Sequence, residues 1–444
     1  MFDVMTFIQL SYIGIINGMI YALIGFAFVS IFRVTRIVNL ALGEFFMIGG
    51  IGALIASGYG LAWPVGIAIG VGLAWLVGQL LYATALQPAQ DRSTIETLIL
   101  ITVGASLALR GLAQMFIGSE PLPVSSFTSD VPLNIFGIAA SPQAFWVLCL
   151  GSIVMVILWF YYQYTAAGLS LNACADDMIG AAISGINPQR NYRKAFVLGC
   201  VIAGFAGTIA TPITFVSFNV GLFLGFKGFT AAVVGGLRSF YGTALGALLI
   251  GLLESYSSGY VSSGYRNAIT FVVLIVVVVL RKGRRPMTSQ QQNTKVSEVA
   301  PDSTLTESRT GGRSRRIGFV VFAVGIAITP LLVARSTLGL LVVAGAFALA
   351  AVGVGLLLGF TGQITIGHAA LMGIGGYATA ILTVKFGVNS VMSLLIGVLV
   401  AGLVSGLLSK IIFRLNGLYL AMATLGLGIV FTVVITQARR FAGG

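Results

Sequence analysis

Charge is what this chain has least of. Asp, Glu, Lys and Arg together make up 8% of its 444 residues against 57% apolar, where a soluble domain carries roughly 25% charged residues. A soluble globular domain is therefore excluded, and an integral membrane protein is what remains. Histidine occurs once, at position 368, which excludes a multi-histidine metal site, and no His, Cys or carboxylate cluster has metal spacing. A Ser-His-Asp arrangement would have to use His368, which sits in an apolar stretch with no carboxylate nearby in sequence. No Gly-x-x-x-x-Gly-Lys-Ser/Thr loop occurs, so the chain has no recognisable nucleotide site of its own. Of the three cysteines, Cys149 and Cys200 fall in apolar stretches and Cys174 in a basic-flanked loop, which gives no disulfide framework. Neither a catalytic constellation nor a cofactor or metal site is readable.

What is present is long apolar runs. Several reach about 20 residues, the length a helix needs to cross roughly 30 Å of hydrocarbon. A membrane barrel would show short alternating segments instead, so the expectation is an all-α polytopic membrane protein. Runs and their breakers predict spans near 8–32, 37–58, 61–86, 95–118, 144–163, 194–218, 224–236, 242–259 and 267–281, then 317–334, 338–359, 363–384, 390–413 and 417–438. The run at 224–236 is short and Gly-rich, which leaves a re-entrant segment open. The amino terminus, Met-Phe-Asp-Val-Met, lacks the basic region of a cleaved signal, so the first span is expected to be retained.

The formal charge of +13 would point to nucleic acid in a soluble protein, but here the Lys and Arg residues lie mostly in short loops between spans. The positive-inside bias accounts for them, and no nucleic-acid partner is implied. Arg33, Arg36, Arg92, Arg190, Arg193, Lys194 and Arg238 then mark the cytoplasm. The amino terminus and the loop from 119 to 143, which has no Lys or Arg, are expected outside a plasma (inner) membrane. Arg110, Lys227 and Arg266 do not fit this scheme.

The chain also repeats itself. Val38 to Gly50 can be laid over Ile364 to Gly376 without a gap at an offset of 326, with Thr35 falling on Thr361 and Ala22-Leu23 on Ala348-Leu349. Thr102-Val103-Gly104 matches Thr424-Leu425-Gly426 at an offset of 322. Between the copies, Arg281 to Arg316 is rich in Gln, Ser and Thr with nine basic and three acidic residues, which reads as a flexible cytoplasmic linker with lipid binding as an alternative. The expected division is a first domain at 1–281, a linker at 282–316 and a second domain at 317–444. The extra span at 317–334 would give the second copy the orientation of the first, so the two are expected to be parallel repeats related by an axis along the membrane normal. The second copy is shorter and is expected to be incomplete.

Polar residues within spans are functional candidates because burying them in lipid is costly. Asn39, Glu44, Thr102, Thr365, His368 and Thr424 are the candidates for a translocation path, with Glu254 a further intramembrane carboxylate. Interhelical hydrogen bonding is the alternative role for each. Gly49, Gly50, Gly242, Gly246, Gly251, Gly375 and Gly376 are candidates for close helix packing. In the loop from Tyr164 to Lys194, apolar residues from Leu171 to Ile186 recur at helical spacing, which predicts one short amphipathic helix suited to docking a partner, or to lying on the bundle or the bilayer.

These stretches carry a family resemblance. Gly180-Ala181-Ala182-Ile183-Ser184-Gly185-Ile186 resembles the cytoplasmic Glu-Ala-Ala-x-x-x-Gly loop of ABC importer permeases, with Gly180 where that loop usually has Glu. Asn39 to Met47, with Gly235-Gly236, Gly242, Gly246, Gly251 and Glu254, resembles the first permease of branched-chain amino acid importers. Gly362 to Ala370, with Leu415 to Gly426, resembles the second; Leu42 stands where many relatives, and the second copy at His368, have His. The resemblance implies a fused pair of permease domains importing amino acids by alternating access. It implies two cytoplasmic ABC ATPase subunits that use ATP and Mg, coupled through Asp176, Asp177, Gly180, Ala181, Ala182 and Gly185, and an extracytoplasmic solute-binding protein. Urea or short amides are the nearest substrate alternative. An ATP-independent channel or secondary transporter, with Glu44, Glu254 and His368 as ion sites, is the alternative from another class.

Overall fold

The computed structural model describes residues 4–90, 95–129, 131–135, 138–281, 335–361, 365, 367–412 and 418–437. The expected linker and the span at 317–334 lie outside the described residues. The helices are α1 (Val4–Thr35), α2 (Leu42–Gly58), α3 (Trp63–Leu81), which runs through a π-helical turn (Tyr82–Leu86) into α4 (Gln87–Gln90), and α5 (Ile95–Ile117). There follow α6 (Pro142–Tyr164), α7 (Ala166–Asp176), α8 (Met178–Ile183), α9 (Pro188–Thr214), α10 (Val220–Gly235), α11 (Phe240–Tyr260) and α12 (Arg266–Arg281). The last four are α13 (Arg335–Thr361), α14 (His368–Phe386), α15 (Ser390–Ile412) and α16 (Leu418–Gln437). Among the described residues, eight helical segments are long and apolar enough to cross a bilayer, so the chain is a multi-pass, helical membrane protein.

Two differences from the sequence expectation have physical causes. Among the described residues, a hairpin of Leu133–Ile135 with Ile138–Ala140 interrupts the all-α fold, pairing Leu133 with Ala140. Three pairs are too few for a period-two pattern to stand out in sequence. The predicted span at 37–58 begins as a helix only at Leu42, because Ile37 to Ala41 leave the helical path.

The chain divides into two compact units, residues 1–278 with 425–444, and residues 279–424. In the first unit α1 is the central post, packed against α6, α9, α10 and α11. Every residue from Ile20 to Ile31 is buried, so α1 has no polar face to show. The 16-residue α10 rises about 24 Å at 1.5 Å per residue, short of a full crossing. Its stretch from Gly225 to Val233 is wholly buried, which removes any need to match the lipid thickness.

Glycines set the spacing between these helices. A Cβ at Gly49 of α2 would strike the carbonyl of Gly204 of α9, and one at Gly207 of α9 would strike that of Phe46. Gly43 meets Gly221 and Gly225 of α10, and Gly52 meets Gly70 of α3. Gly235 and Gly242 meet across α10 and α11, Gly246 backs onto Ala231, and Gly251 backs onto Gly14 and Gly18 of α1. A Cβ at Gly50 would lie 2.6 Å from the Thr211 hydroxyl. In the second unit Gly375 faces Gly397 at an ordinary 3.6 Å, and a Cβ at Gly376 would meet nothing within 4 Å.

Gly49→Ala should therefore destabilise the protein by about 1–3 kcal/mol, the usual range for overpacking, while Gly376→Ala should leave stability nearly unchanged. Thermal unfolding of the two purified variants in detergent checks this. Equal melting temperatures would show that α2 and α9 do not touch backbone to backbone.

Candidate functional site

The non-helical link between α1 and α2 is built by side chains that satisfy its backbone. Thr35 Oγ1 donates to the Ile31 carbonyl at 2.9 Å and accepts from the Ile37 amide at 3.1 Å. Asn39 Oδ1 accepts from the Ala41 amide at 3.0 Å, and the Leu40 amide donates to Thr102 Oγ1 at 3.1 Å. The Thr102 hydroxyl in turn donates to the Ile99 carbonyl at 2.8 Å. Asn39 and Thr102 are each 1% exposed, so two of the candidate path residues meet at one buried point. The Asn39 Nδ2 group, also buried, has no hydrogen-bond partner.

Among the described residues, the second copy repeats the helix ends and several hydrogen bonds of this region. α1 ends at Thr35 and α13 at Thr361; α2 begins at Leu42 and α14 at His368. Thr361 Oγ1 donates to the Leu357 carbonyl as Thr35 does to Ile31. The Ala370 amide donates to the Gly367 carbonyl at 3.0 Å, as Glu44 does to Ala41 at 3.0 Å. The Thr424 hydroxyl donates to Ala421, three residues back, as Thr102 does to Ile99, and Gly367 is pressed against the Thr424 backbone. Thr365 Oγ1 accepts from the Gly367 amide at 3.4 Å. The copies differ where α2 and α14 begin: Leu42 is fully buried, whereas His368 has a buried Nδ1 without a partner.

The three cations that broke the sidedness pattern are explained by two carboxylates. Glu44 Oε1 accepts from the Ser106 hydroxyl at 2.9 Å and lies 3.4 Å from Arg110 Nη2, joining α2 to α5. Its Oε2 is buried without a partner. Glu254 of α11, which is 0% exposed, accepts from Lys227 Nζ of α10 at 2.7 Å, Arg266 Nε of α12 at 2.5 Å and Tyr21 Oη of α1 at 2.8 Å. Four helices are thus tied by one carboxylate. Sequence reading missed these pairings, although the signal was there: a cation at membrane depth needs a carboxylate, and few carboxylates lie within spans.

On the side marked by the basic loops, the predicted single helix over 171–186 is broken. Asp177 has extended backbone, ends α7 and caps α8, its Oδ1 accepting from the Ile179 amide at 3.0 Å. Thr165 caps α7 in the same way through the Gly168 amide. The break splits the apolar stripe. Leu171, Cys174, Ala175 and Ala181 are buried against Val34, Tyr162 and Ala195, whereas Ile179 and Ile183 are 73% and 83% exposed and Ala182 is exposed. Gly180 is half-buried. Gly185, at φ +83°, closes α8 as a Schellman motif, with the Ile186 amide on the Ala181 carbonyl and its own amide on Ala182.

Two arginines grip the end of α7. Arg36 and Arg238 both donate to the Ala175 carbonyl, at 2.8 and 3.0 Å, and Arg238 lies 3.9 Å from the exposed Asp176. Burial, with Arg238 alongside, pulls the Arg36 guanidinium below its ordinary value, and Asp176 offsets part of that. Arg36 immediately precedes the non-helical link, so the α7–α8 pair is tied to the link by one side chain.

Removing one partner of a buried ion pair strands the other. Arg110→Ala should cost about 3–5 kcal/mol, and pairing it with Glu44→Gln should recover much of that loss. Denaturation of the single and double variants tests the coupling; simple additivity would show that the two groups do not interact.

A family profile described as "Branched-chain amino acid transport system / permease component" matches residues 12–278 and 336–441. The high-affinity branched-chain amino acid transport system permease protein LivH of Escherichia coli K12 is 29% identical over 290 residues, covering 62% of this chain and 93% of LivH. The corresponding permease protein BraD of Pseudomonas aeruginosa is 25% identical, covering 63% of this chain and 95% of BraD. The ribose import permease protein RbsC of Haemophilus influenzae is 25% identical over 42% of this chain and 58% of its own length. No solved structure matches. The chain is a transport permease without an enzyme's role, and it belongs to the branched-chain amino acid transport permease family.

Proposed function

We propose that this chain is the transmembrane permease component of an ABC importer that moves branched-chain or related amino acids inward by alternating access. Two separate cytoplasmic ATPase subunits drive it, and an extracytoplasmic solute-binding protein delivers the substrate. The chain is a fusion of two permease domains in parallel orientation, with the amino terminus outside and the linker in the cytoplasm of an inner-membrane protein. Asn39, Glu44 and Thr102, with Thr365, His368 and Thr424 of the second copy, line the path.

The observation that carries this reading is the α7–α8 pair. It is capped at both starts, seated on a buried apolar cluster, and presents Ile179, Ala182 and Ile183 outward. Arg36, the residue just before the α1–α2 link, holds the pair by donating to the Ala175 carbonyl. A partner pushing on α8 would therefore act on the link beside Asn39 and Thr102, the kind of differential contact through which ATP can bias two states. Glu44 and Glu254 are held in ion pairs, which weighs against their serving as freely titrating ion sites in an ATP-independent carrier.

Reconstitution of the chain with its ATPases and binding protein should give ATP-dependent leucine uptake. Leucine uptake driven by a proton gradient without any ATPase would overturn the proposal. Within that assembly, Ala182→Arg should abolish transport-linked ATPase activity while leaving membrane insertion intact. Unchanged activity would remove α8 from the coupling role.

A further inference from the structure

At the end of the bundle marked by the basic loops, three guanidiniums gather where α1, α6, α7 and α11 come together. Arg36 and Arg238 both donate to the Ala175 carbonyl near the end of α7, so two like charges share one neutral acceptor. Arg33, in the last turn of α1, lies over the rings of Phe240 of α11 and Tyr162 of α6, 5.4 and 5.8 Å from their centroids. Ring faces hold a guanidinium by its plane and leave its N–H edge free. Among the described residues, no carboxylate or carbonyl answers that edge. Burial depresses the basicity of Arg36, and Arg238 and Arg33 both add to that, which places the three charges in one field. Asp176 stands against them 3.9 Å from Arg238, but 78% of its side chain is exposed, so water screens much of its charge. Asp177 has its Oδ1 engaged at the start of α8. The cluster therefore holds surplus positive charge and open donors, the complement of an anion with several acceptor oxygens.

An apolar stripe begins at the same point. Tyr241, Leu245, Leu248 and Leu249 recur at helical spacing along α11, just past Arg238, and are 71%, 71%, 41% and 46% exposed. A soluble anion or an acidic protein segment would use the charge and not the stripe, whereas a phospholipid uses both. We propose that Arg33, Arg36 and Arg238 form a headgroup site for an anionic phospholipid, its phosphate on the guanidiniums and an acyl chain along Tyr241, Leu245 and Leu249. Basic pockets at the cytoplasmic ends of membrane helices take lipid headgroups in this way. The site is separate from the basic linker and does not rest on the importer reading. Because Arg36 and Arg238 also hold the Ala175 carbonyl, a phosphate between them offsets their mutual repulsion and secures the end of α7 to the α1–α2 and α10–α11 links.

The test uses the full chain purified in detergent and titrated with phosphatidylglycerol or phosphatidylcholine of the same acyl chains, the retained lipid being counted by native mass spectrometry. The first phosphatidylglycerol should bind at least about tenfold more tightly than phosphatidylcholine. Arg33→Gln combined with Arg238→Gln should remove most of that preference. Arg190→Gln, which neutralises an exposed arginine on the same side but outside the site, should keep it. If the double variant does not fold, Tyr241→Glu puts a negative charge at an exposed position beside the site and should lower the preference in its place. Inorganic phosphate at the same concentration should not displace the lipid, since it has no acyl chain to bury. No preference in the wild-type chain, an unchanged preference in the site variants, or an equal loss in Arg190→Gln would overturn the proposal. Displacement by equimolar phosphate would do so as well, by reassigning the cluster to a free anion.

Discussion

Inside a bilayer no water is at hand to accept a hydrogen bond from an amide, and that constraint governs this fold more than any attraction between its side chains. Every stretch of backbone at membrane depth must be helical or have its polar groups satisfied by protein. Most of the chain meets the condition with helices. The link from Ile37 to Ala41 meets it with side chains: Thr35, Asn39 and Thr102 stand in for the missing helical partners. A hydroxyl that accepts from one backbone amide while donating to its own helix three or four residues back leaves neither group exposed. Thr102 and Thr35 both do this, and the donating half recurs at Thr424 and Thr361.

The same constraint applies to charge. Two carboxylates within the first unit's helices answer three cations, and Tyr21 takes the remaining oxygen of Glu254. Such pairs add little net stability compared with well-packed apolar residues, but they are unforgiving of a missing partner. They fix which helices are neighbours: α2 with α5 at one site, and α1, α10, α11 and α12 at the other. Glycine contacts bring backbones close, and the ion pairs select the register at which they meet.

Much of the fold was legible because the lipid imposes its own length scale. Apolar runs gave the helices of both units nearly to their ends, as at α5, α6, α11 and α15. The link at 37–41 was not legible, since Ile37, Val38, Leu40 and Ala41 are as apolar as any helix interior. Only the Asn39 cap on Ala41 and the bond from the Leu40 amide to Thr102, some sixty residues later, mark it, and the second exists in space alone. The split between α7 and α8 failed for a related reason: Asp177 fits a helical face by spacing, yet its carboxylate caps the next helix. The repeat was the most informative feature, because matched strings at 38–50 and 364–376 carry matched helix starts at Leu42 and His368. The candidate site was legible as residues but not as geometry. Sequence brought Asn39 and Thr102 onto one list, and folding brought them into one hydrogen-bonded cluster.

The glycine seams have a mechanical consequence. Most helix pairs interlock, with each side chain seated in a hollow of its neighbour, so one cannot slide without climbing out. Where Gly43 meets Gly221 and Gly225, and where Gly235 meets Gly242, there are no teeth on either side. Such a surface resists separation through close contact but offers little friction to shear along the helix axes. α10 meets both α2 and α11 through seams of this kind, held laterally by glycine contacts and longitudinally by the bond from Lys227 to Glu254.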